Sequence, residues 1–343
     1  MKKILVVRND KIGDFMLAWP SFAMLKQSLP DSEITALVPA YTKDLALLCP
    51  WIDKVIVDCT KRADKAAKRA LISQIKAEQF DASICLFSDT YNATLVWKAR
   101  IPYRLAPATK FAQVLYNRRL KQRRSRSEKP EFEYNLDLIR FFLEDNRVAI
   151  KEPQGPYLTF NTDCLDAQRM KLDNLLGLDA SSRWCFVHAG SGGSANNLSL
   201  NQYAGLIKGL AQSFGGEFVL TAGPGEEAMA ASLYELVKDD VKAVIYDKND
   251  GLEDFTRSLA CADLFIAGST GPLHIAATLD VLTLGFFPNK RSATPLRWQT
   301  LNTEGRHLAF CPPEGKETET DMGLIEVDEV LVRAKTWVAQ YWS

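Results

Sequence analysis

Short apolar runs that end at a polar or glycine-rich turn and lead into a helical pattern recur along almost the whole chain, and no other feature constrains its fold as strongly. Strand-like runs stand at residues 3–7, 34–38, 54–57, 82–87 and 103–106, with helical stretches at 21–29, 42–48, 63–78 and 92–100 between them. Pro20 suits the first turn of its helix, where no backbone N–H is needed. A strand, a helix and a second strand close as a right-handed crossover, so the pattern predicts a parallel sheet covered on both faces. A helical segment at 132–143 follows, and Lys151-Glu152-Pro153-Gln154-Gly155-Pro156 then interrupts the alternation as a linker would. The alternation restarts with strands at 184–189, 217–222, 243–246, 264–267 and 281–287.

The expected fold class is therefore α/β. A length of 343 residues suits two cores of ordinary size. We expect a first Rossmann-like domain at 1–155 and a second at 156–325. The two would face each other across a central cleft formed by the carboxyl ends of both sheets, where ligands of open parallel sheets bind. A closing segment at 326–343, helical over 327–342, would pack back over the domains.

Charge divides in the same way. Residues 1–150 hold 26 Lys and Arg against 17 Asp and Glu, whereas 151–343 hold 16 against 25. A basic half facing an anionic partner explains this, and so does attraction between the two halves. Much of the positive charge lies in one stretch, Arg118, Arg119, Lys121, Arg123, Arg124, Arg126 and Lys129. Seven cysteines show no C-x-x-C spacing and read as buried free thiols in a reducing compartment. No apolar run approaches the roughly 18 residues of a spanning helix. The run after Lys2-Lys3 ends at Arg8, too soon for a secretory signal, so the expected location is cytoplasmic.

Several strand-to-helix turns carry residues suited to chemistry. Arg8-Asn9-Asp10-Lys11-Ile12-Gly13-Asp14 follows the first strand. Asp14 reads either as a base near a helix start or as an ordinary N-cap; Arg8 and Lys11 suit an anionic acceptor, and Arg8 equally suits a structural ion pair. The small loop from His188 to Asn197, with Gly190 and Ser191, suits a phosphate bound through backbone N–H groups. Ser269-Thr270-Gly271-Pro272-Leu273-His274 opens a helix directly after a strand and offers amides, a hydroxyl and an imidazole. Gly223-Pro224-Gly225-Glu226-Glu227-Ala228 has dinucleotide-fingerprint spacing, with Asp247 about 20 residues on. Glu226 and Glu227 would nonetheless stand where a pyrophosphate should sit, and they suit ribose hydroxyls better.

These motifs together, in this order, resemble the ADP-heptose:lipopolysaccharide heptosyltransferases, which have the glycosyltransferase-B architecture. The resemblance covers nearly the whole chain. It rests on Arg8 with Gly13-Asp14, Pro20 and Leu25-Lys26, on His188-Ala189-Gly190-Ser191, on Gly223 with Glu227, and on Thr270-Gly271-Pro272-Leu273-His274-Ile275-Ala276-Ala277. It implies transfer of a heptose from ADP-heptose to the inner core of lipopolysaccharide, with inversion and with Asp14 as general base. Donor contacts are expected from Gly190, Ser191, Asn196, Glu227, Ser269, Thr270, Gly271 and His274. Acceptor contacts are expected from Arg8, Lys11, Arg118, Arg119, Arg123 and Arg124. The implied partners are ADP-heptose, a Kdo-lipid A acceptor and the cytoplasmic face of the inner membrane, with no nucleic acid, metal or cofactor. Two positions depart from the pattern: Asn196 stands where many members carry Lys, and Ser269 where many carry Asp. Two other readings stay open, a nicotinamide-dependent oxidoreductase using Gly223–Ala228 and a non-catalytic sugar-nucleotide-binding protein.

Overall fold

The computed structural model describes residues 2–109, 111–193 and 196–342. The chain divides into two compact units, Met1–Tyr157 and Leu158–Ser343.

In the first unit the strands are β1 (Lys3–Val7), β2 (Glu33–Pro39), β3 (Lys54–Asp58), β4 (Ala82–Cys85), β5 (Tyr103–Pro107) and β6 (Arg118–Leu120). They form one sheet in the order β3-β2-β1-β4-β5-β6, with all neighbours parallel. The helices are α1 (Ile12–Met16), α2 (Trp19–Ser28), α3 (Lys43–Leu48), α4 (Lys65–Ala77), α5 (Thr90–Lys98) and α6 (Glu131–Asp145). Strand order reverses between β1 and β4, which opens a crevice at the carboxyl ends of those two strands. Helix α2 is buried from Trp19 through Leu25, because it lies between the sheet and α6. Pro20 occupies its first turn. Phe15, Trp19 and Phe22 meet edge to face, with ring centroids 6.3 and 6.1 Å from Phe15.

The second unit repeats the plan with β7 (Trp184–His188), β8 (Glu217–Thr221), β9 (Ala243–Tyr246), β10 (Leu264–Gly268), β11 (Thr283–Phe286) and β12 (His307–Phe310). Their order is β12-β11-β10-β7-β8-β9, again all parallel, so the reversal falls between β7 and β10. The helices are α7 (Thr162–Leu176), α8 (Leu200–Phe214), α9 (Glu227–Val237), α10 (Leu252–Ala260), α11 (Gly271–Thr278) and α12 (Val327–Val338). Ser199 and Gln202 cap the start of α8 reciprocally. Helix α12 sinks Val330, Ala334, Trp337 and Val338 into the core of this second unit, beside α8 and β12.

Two strands escape the sequence pattern. An edge strand needs only one bonded neighbour, so it can form without the continuous apolar run of a central strand. That is the case for β6, which reads Arg-Arg-Leu, and for β12, which begins at the half-buried His307. The cysteines also differ from expectation. All seven are free, yet only Cys49, Cys85, Cys185 and Cys261 are buried; Cys59 and Cys164 are partly exposed and Cys311 is exposed.

Candidate active site

In the first unit, β1 delivers Arg8 to the strand-order reversal. Its side chain is 1% exposed and faces three carboxylates. Nη2 donates to Asp14 Oδ1 at 2.5 Å, Nε lies 3.0 Å from Asp10 Oδ1, and Nη1 and Nη2 both reach Glu131 Oε1 at 3.4 Å. Glu131 opens α6 and also accepts from Arg124 Nη1 at 2.7 Å. A planar guanidinium with five donors can serve several carboxylates at once, which explains an arginine at this depth. Burial works against the charge of Arg8, but Asp10, Asp14 and Glu131 outweigh it and raise its pKa. Burial pushes the Asp10 carboxyl up to about 7; Arg8 pulls it back, while Asp14 and Glu131 add to the rise.

Asp14 lies in the first turn of α1, whose N-cap is Lys11, so the reading of Asp14 as an N-cap is not what forms. Its carboxylate turns to Arg8 and stays partly exposed. The six basic residues expected to meet an acceptor do not form one group. Arg8 and Arg124 belong to the carboxylate cluster, and Arg124 also lies over the Tyr134 ring at 5.6 Å. Arg118 is held on the surface by Asp145 at 2.9 Å. Lys11, Arg119 and Arg123 are exposed. Sequence reasoning missed Asp10 and Glu131. Asp10 was visible between Arg8 and Asp14, whereas Glu131 lies 123 residues from Arg8 and left no local signal.

In the second unit the adjacent carboxyl ends of β10, β7 and β8 gather three loops. His188 closes β7, with Nδ1 3.0 Å from Thr221 Oγ1 at the end of β8 and Nε2 3.4 Å from Glu226 Oε2. Glu226 also accepts from the Gly192 amide at 2.6 Å and the Gly223 amide at 3.1 Å. A Cβ on Gly190 would stand 2.0 Å from Glu226 Oε2, so glycine is what admits the carboxylate. Burial lowers the pKa of His188, with Glu226 opposing.

Asn197 pins the loop after β7: its Nδ2 donates to the Ala189 carbonyl at 2.8 Å, and its Oδ1 accepts from Tyr203 at 2.6 Å. Ser191 is half-buried beside it. Asn196 is exposed and donates to the Thr320 carbonyl at 2.8 Å. Ser194 and Ala195 of this loop lie outside the described residues. At the end of β10, Ser269 is half-buried, and the buried Thr270 is the N-cap of α11. The Thr270 hydroxyl donates to the Gly268 carbonyl at 3.3 Å. Gly271 begins the helix, and His274 one turn later is buried with its ring 6.3 Å from that of Trp298. Among the described residues, His274 Nδ1 has no hydrogen-bond partner. Burial and the nearby His307 hold His274 down at about 3, so it is a neutral imidazole.

Glu227, the expected donor contact, is exposed, with its carboxylate on the Gly225 amide at 3.2 Å. Its neighbour Glu226 is the carboxylate set among the loops. This placement undercuts the dinucleotide reading of Gly223–Ala228, because the Gly223 amide that a pyrophosphate would use is engaged by Glu226. Among the described residues, no group of three or more His, Cys, Asp or Glu is placed to hold a metal ion.

The model of glycosyltransferase family 9 (heptosyltransferase) matches residues 68–321. A Haemophilus influenzae protein provisionally named a glycosyltransferase is 55% identical over 343 residues, covering 100% of this chain and 99% of its own. Among solved structures, E. coli ADP-heptose lps heptosyltransferase II superposes with a TM-score of 0.81 at 17% identity, covering 100% of both chains. E. coli heptosyltransferase WaaC with ADP gives 0.74 at 18% identity, covering 98% of this chain and 99% of its own. The fold of two parallel six-stranded units is thus shared with known heptosyltransferases, and the match extends through most of the sequence. The chain belongs to glycosyltransferase family 9, the heptosyltransferase family, and is a glycosyltransferase.

Proposed function

We propose that the protein transfers a heptose from ADP-heptose to the Kdo, free or phosphorylated, of a lipopolysaccharide inner core, inverting the anomeric carbon, with Asp14 as general base. The observation that carries this reading is the Asp14 carboxylate held through one oxygen by the buried Arg8. Oδ2 then takes the proton of an acceptor hydroxyl as that oxygen bonds to C1 of the heptose. The C1–O bond to the β-phosphate breaks, and its electron pair leaves with ADP. A fixed base beside the nucleophile lowers the barrier through proximity and proton transfer.

Charge developing on the leaving diphosphate is met by the amides opening α11 at Gly271, by Ser269 and Thr270, by the Gly190-Ser191 loop and by the neutral His274 as an N–H donor. Asn196 stands nearby in the same loop. Because these groups stabilise the leaving charge, we assign no metal or other cofactor. Glu226 takes over the ribose contact first given to Glu227. Lys11, Arg119 and Arg123 suit the anionic groups of the acceptor. The partners are accordingly a sugar nucleotide and a lipid-borne acceptor, not nucleic acid, and the enzyme works peripherally at the cytoplasmic face of the inner membrane. The names of the E. coli relatives support ADP-heptose as donor.

The test is ADP release from ADP-heptose with and without a Kdo-bearing lipid A. Release that depends on the acceptor is expected. Binding of ADP-heptose with no release under any acceptor would support a sugar-nucleotide-binding role instead.

A further inference from the structure

A short 3-10 turn at Phe111–Leu115 joins β5 to β6. Residues three apart eclipse in such a turn, so Phe111 and Val114 share one side. Phe111 is 95% exposed and Val114 74% exposed. The turn itself is anchored: Ala112 is buried with Val96, Tyr116 lies in the same core, and Arg104 Nε donates to the Leu115 carbonyl at 3.0 Å. The two side chains that a folded protein would hide are therefore presented outward by a fixed backbone.

The segment that follows them in the chain carries charge of one sign. From Phe111 to Ser127 the chain has six Lys and Arg and no Asp or Glu. Arg118, Arg124 and Arg126 pair with Asp145, Glu131 and Glu128. Arg119, Lys121 and Arg123 are exposed and, among the described residues, form no ion pair. The Ala108 amide donates to the Leu120 carbonyl at 2.8 Å, joining the segment before Phe111 to the segment before Lys121. Three residues span at most about 11 Å, which keeps Phe111 close to this basic strand end. Two exposed apolar side chains are far too little area for a stable protein partner, which needs about 800 Å² a side. An exposed aromatic and valine tied to a strand end that carries exposed cations match the interface of an anionic bilayer, where stable attachment needs an apolar and an electrostatic signal together.

We propose that Phe111 and Val114 insert into the headgroup region of an anionic lipid surface while Arg119, Lys121 and Arg123 meet its phosphates. This rests on the reading that the acceptor is carried by a lipid. The experiment is flotation of the full chain with vesicles of phosphatidylcholine alone or mixed with phosphatidylglycerol, alongside transfer to a lipid-free Kdo acceptor. The expected result is binding to the anionic vesicles, weakened about tenfold in Phe111→Ser/Val114→Ser and retained in Phe111→Trp. Transfer to the lipid-free acceptor should be unchanged in both variants. Wild-type protein that transfers heptose yet does not float would overturn the membrane site and leave the transferase reading standing. Flotation without any transfer would do the reverse. Equal flotation of the serine variant, loss of its lipid-free transfer, or a wild-type dimer in sedimentation that the serine variant abolishes would each assign the patch elsewhere.

Discussion

Arg8 and Asp14, six residues apart, are joined by a 2.5 Å hydrogen bond from Nη2 to Oδ1, and the same guanidinium is shared with Asp10 and Glu131. The aim of the candidate base is thus set by a side chain that is itself almost fully enclosed. Positioning and electrostatics at this point are one structural problem, because every carboxylate that steadies Arg8 also adds negative charge beside Asp14.

Asp14→Asn keeps the volume and the contact with Arg8 but removes the basic oxygen. We expect kcat to fall about 10²- to 10⁴-fold, the usual weight of a general base, with ADP affinity unchanged. Steady-state ADP release and calorimetric titration of ADP check the two halves. An unaltered kcat would take the base role away from Asp14.

Arg8→Met removes the guanidinium that Asp10, Asp14 and Glu131 share and leaves Arg124 on Glu131. Removing one member of a buried ion-pair cluster costs about 3–5 kcal/mol, and that loss should appear in urea unfolding at pH 7. A loss below about 1 kcal/mol would mean that the cluster relaxes into solvent and that Arg8 does not organise it.

The Asp10 carboxyl, raised to about 7 chiefly by burial, gives a pH dependence of definite sign. Its ordinary value is about 3.9, so between those values the folded state binds the extra proton. Stability attributable to Asp10 therefore falls as pH rises from about 4 to about 7 and is level above that. Asp10→Asn should stabilise the protein at pH 8 by about 1–3 kcal/mol and have little effect near pH 4; the range is discounted for partial exposure of the side chain. Unfolding curves at the two pH values give the comparison, and equal effects at both would contradict the assignment.

The two adjacent glutamates should separate cleanly. Glu226 joins His188, Gly192 and Gly223, whereas Glu227 touches the Gly225 amide from an exposed position. Glu226→Ala is expected to weaken ADP binding about tenfold or more, as loss of charged hydrogen bonds does, and Glu227→Ala less than about twofold. Gly190→Ala should resemble Glu226→Ala, since its methyl would displace that carboxylate. Calorimetry on the three variants decides, and a larger effect from Glu227 would return the ribose contact to it.

His274 adds an acid-side dependence of the same origin and opposite sign. In the folded protein burial holds it at about 3, while its ordinary value is about 6.5. Below about 6.5 the unfolded chain takes up a proton that the folded one refuses, so stability drops as pH falls from about 6.5 toward 3. The cost at pH 5 is about 2 kcal/mol. His274→Gln should lose correspondingly less stability between pH 7 and pH 5 in urea titrations. An identical loss would show that the ring is protonated without penalty.

The parallel sheets were legible because their central strands are buried on both faces and so write continuous apolar runs into the chain. Of the four edge strands, β3 and β9 keep an apolar run and were legible, whereas β6 and β12 were not, since one free edge lets polar residues such as Arg118 and Arg119 pair without an apolar signature. The candidate site divides in the same way. Gly190, Thr270 and Asp14 stand at strand-to-helix turns, which local pattern reveals. Glu131 meets Arg8 across 123 residues, and whether Glu226 or its neighbour enters the loops depends on the rotation of one residue at the start of α9.

Sequence by itself determined the alternation of strands and helices, the glycine turns that end the strands and the position of Asp14, because backbone sterics and apolar periodicity act over a few residues. Only the tertiary structure decided that Arg8 is spent on three carboxylates, that Glu226 rather than Glu227 lies among the glycine loops, and that Phe111 and Val114 face outward. Those outcomes follow from burial and from charge pairing between distant segments, and such pairing exists only once the sheet order has brought the segments together.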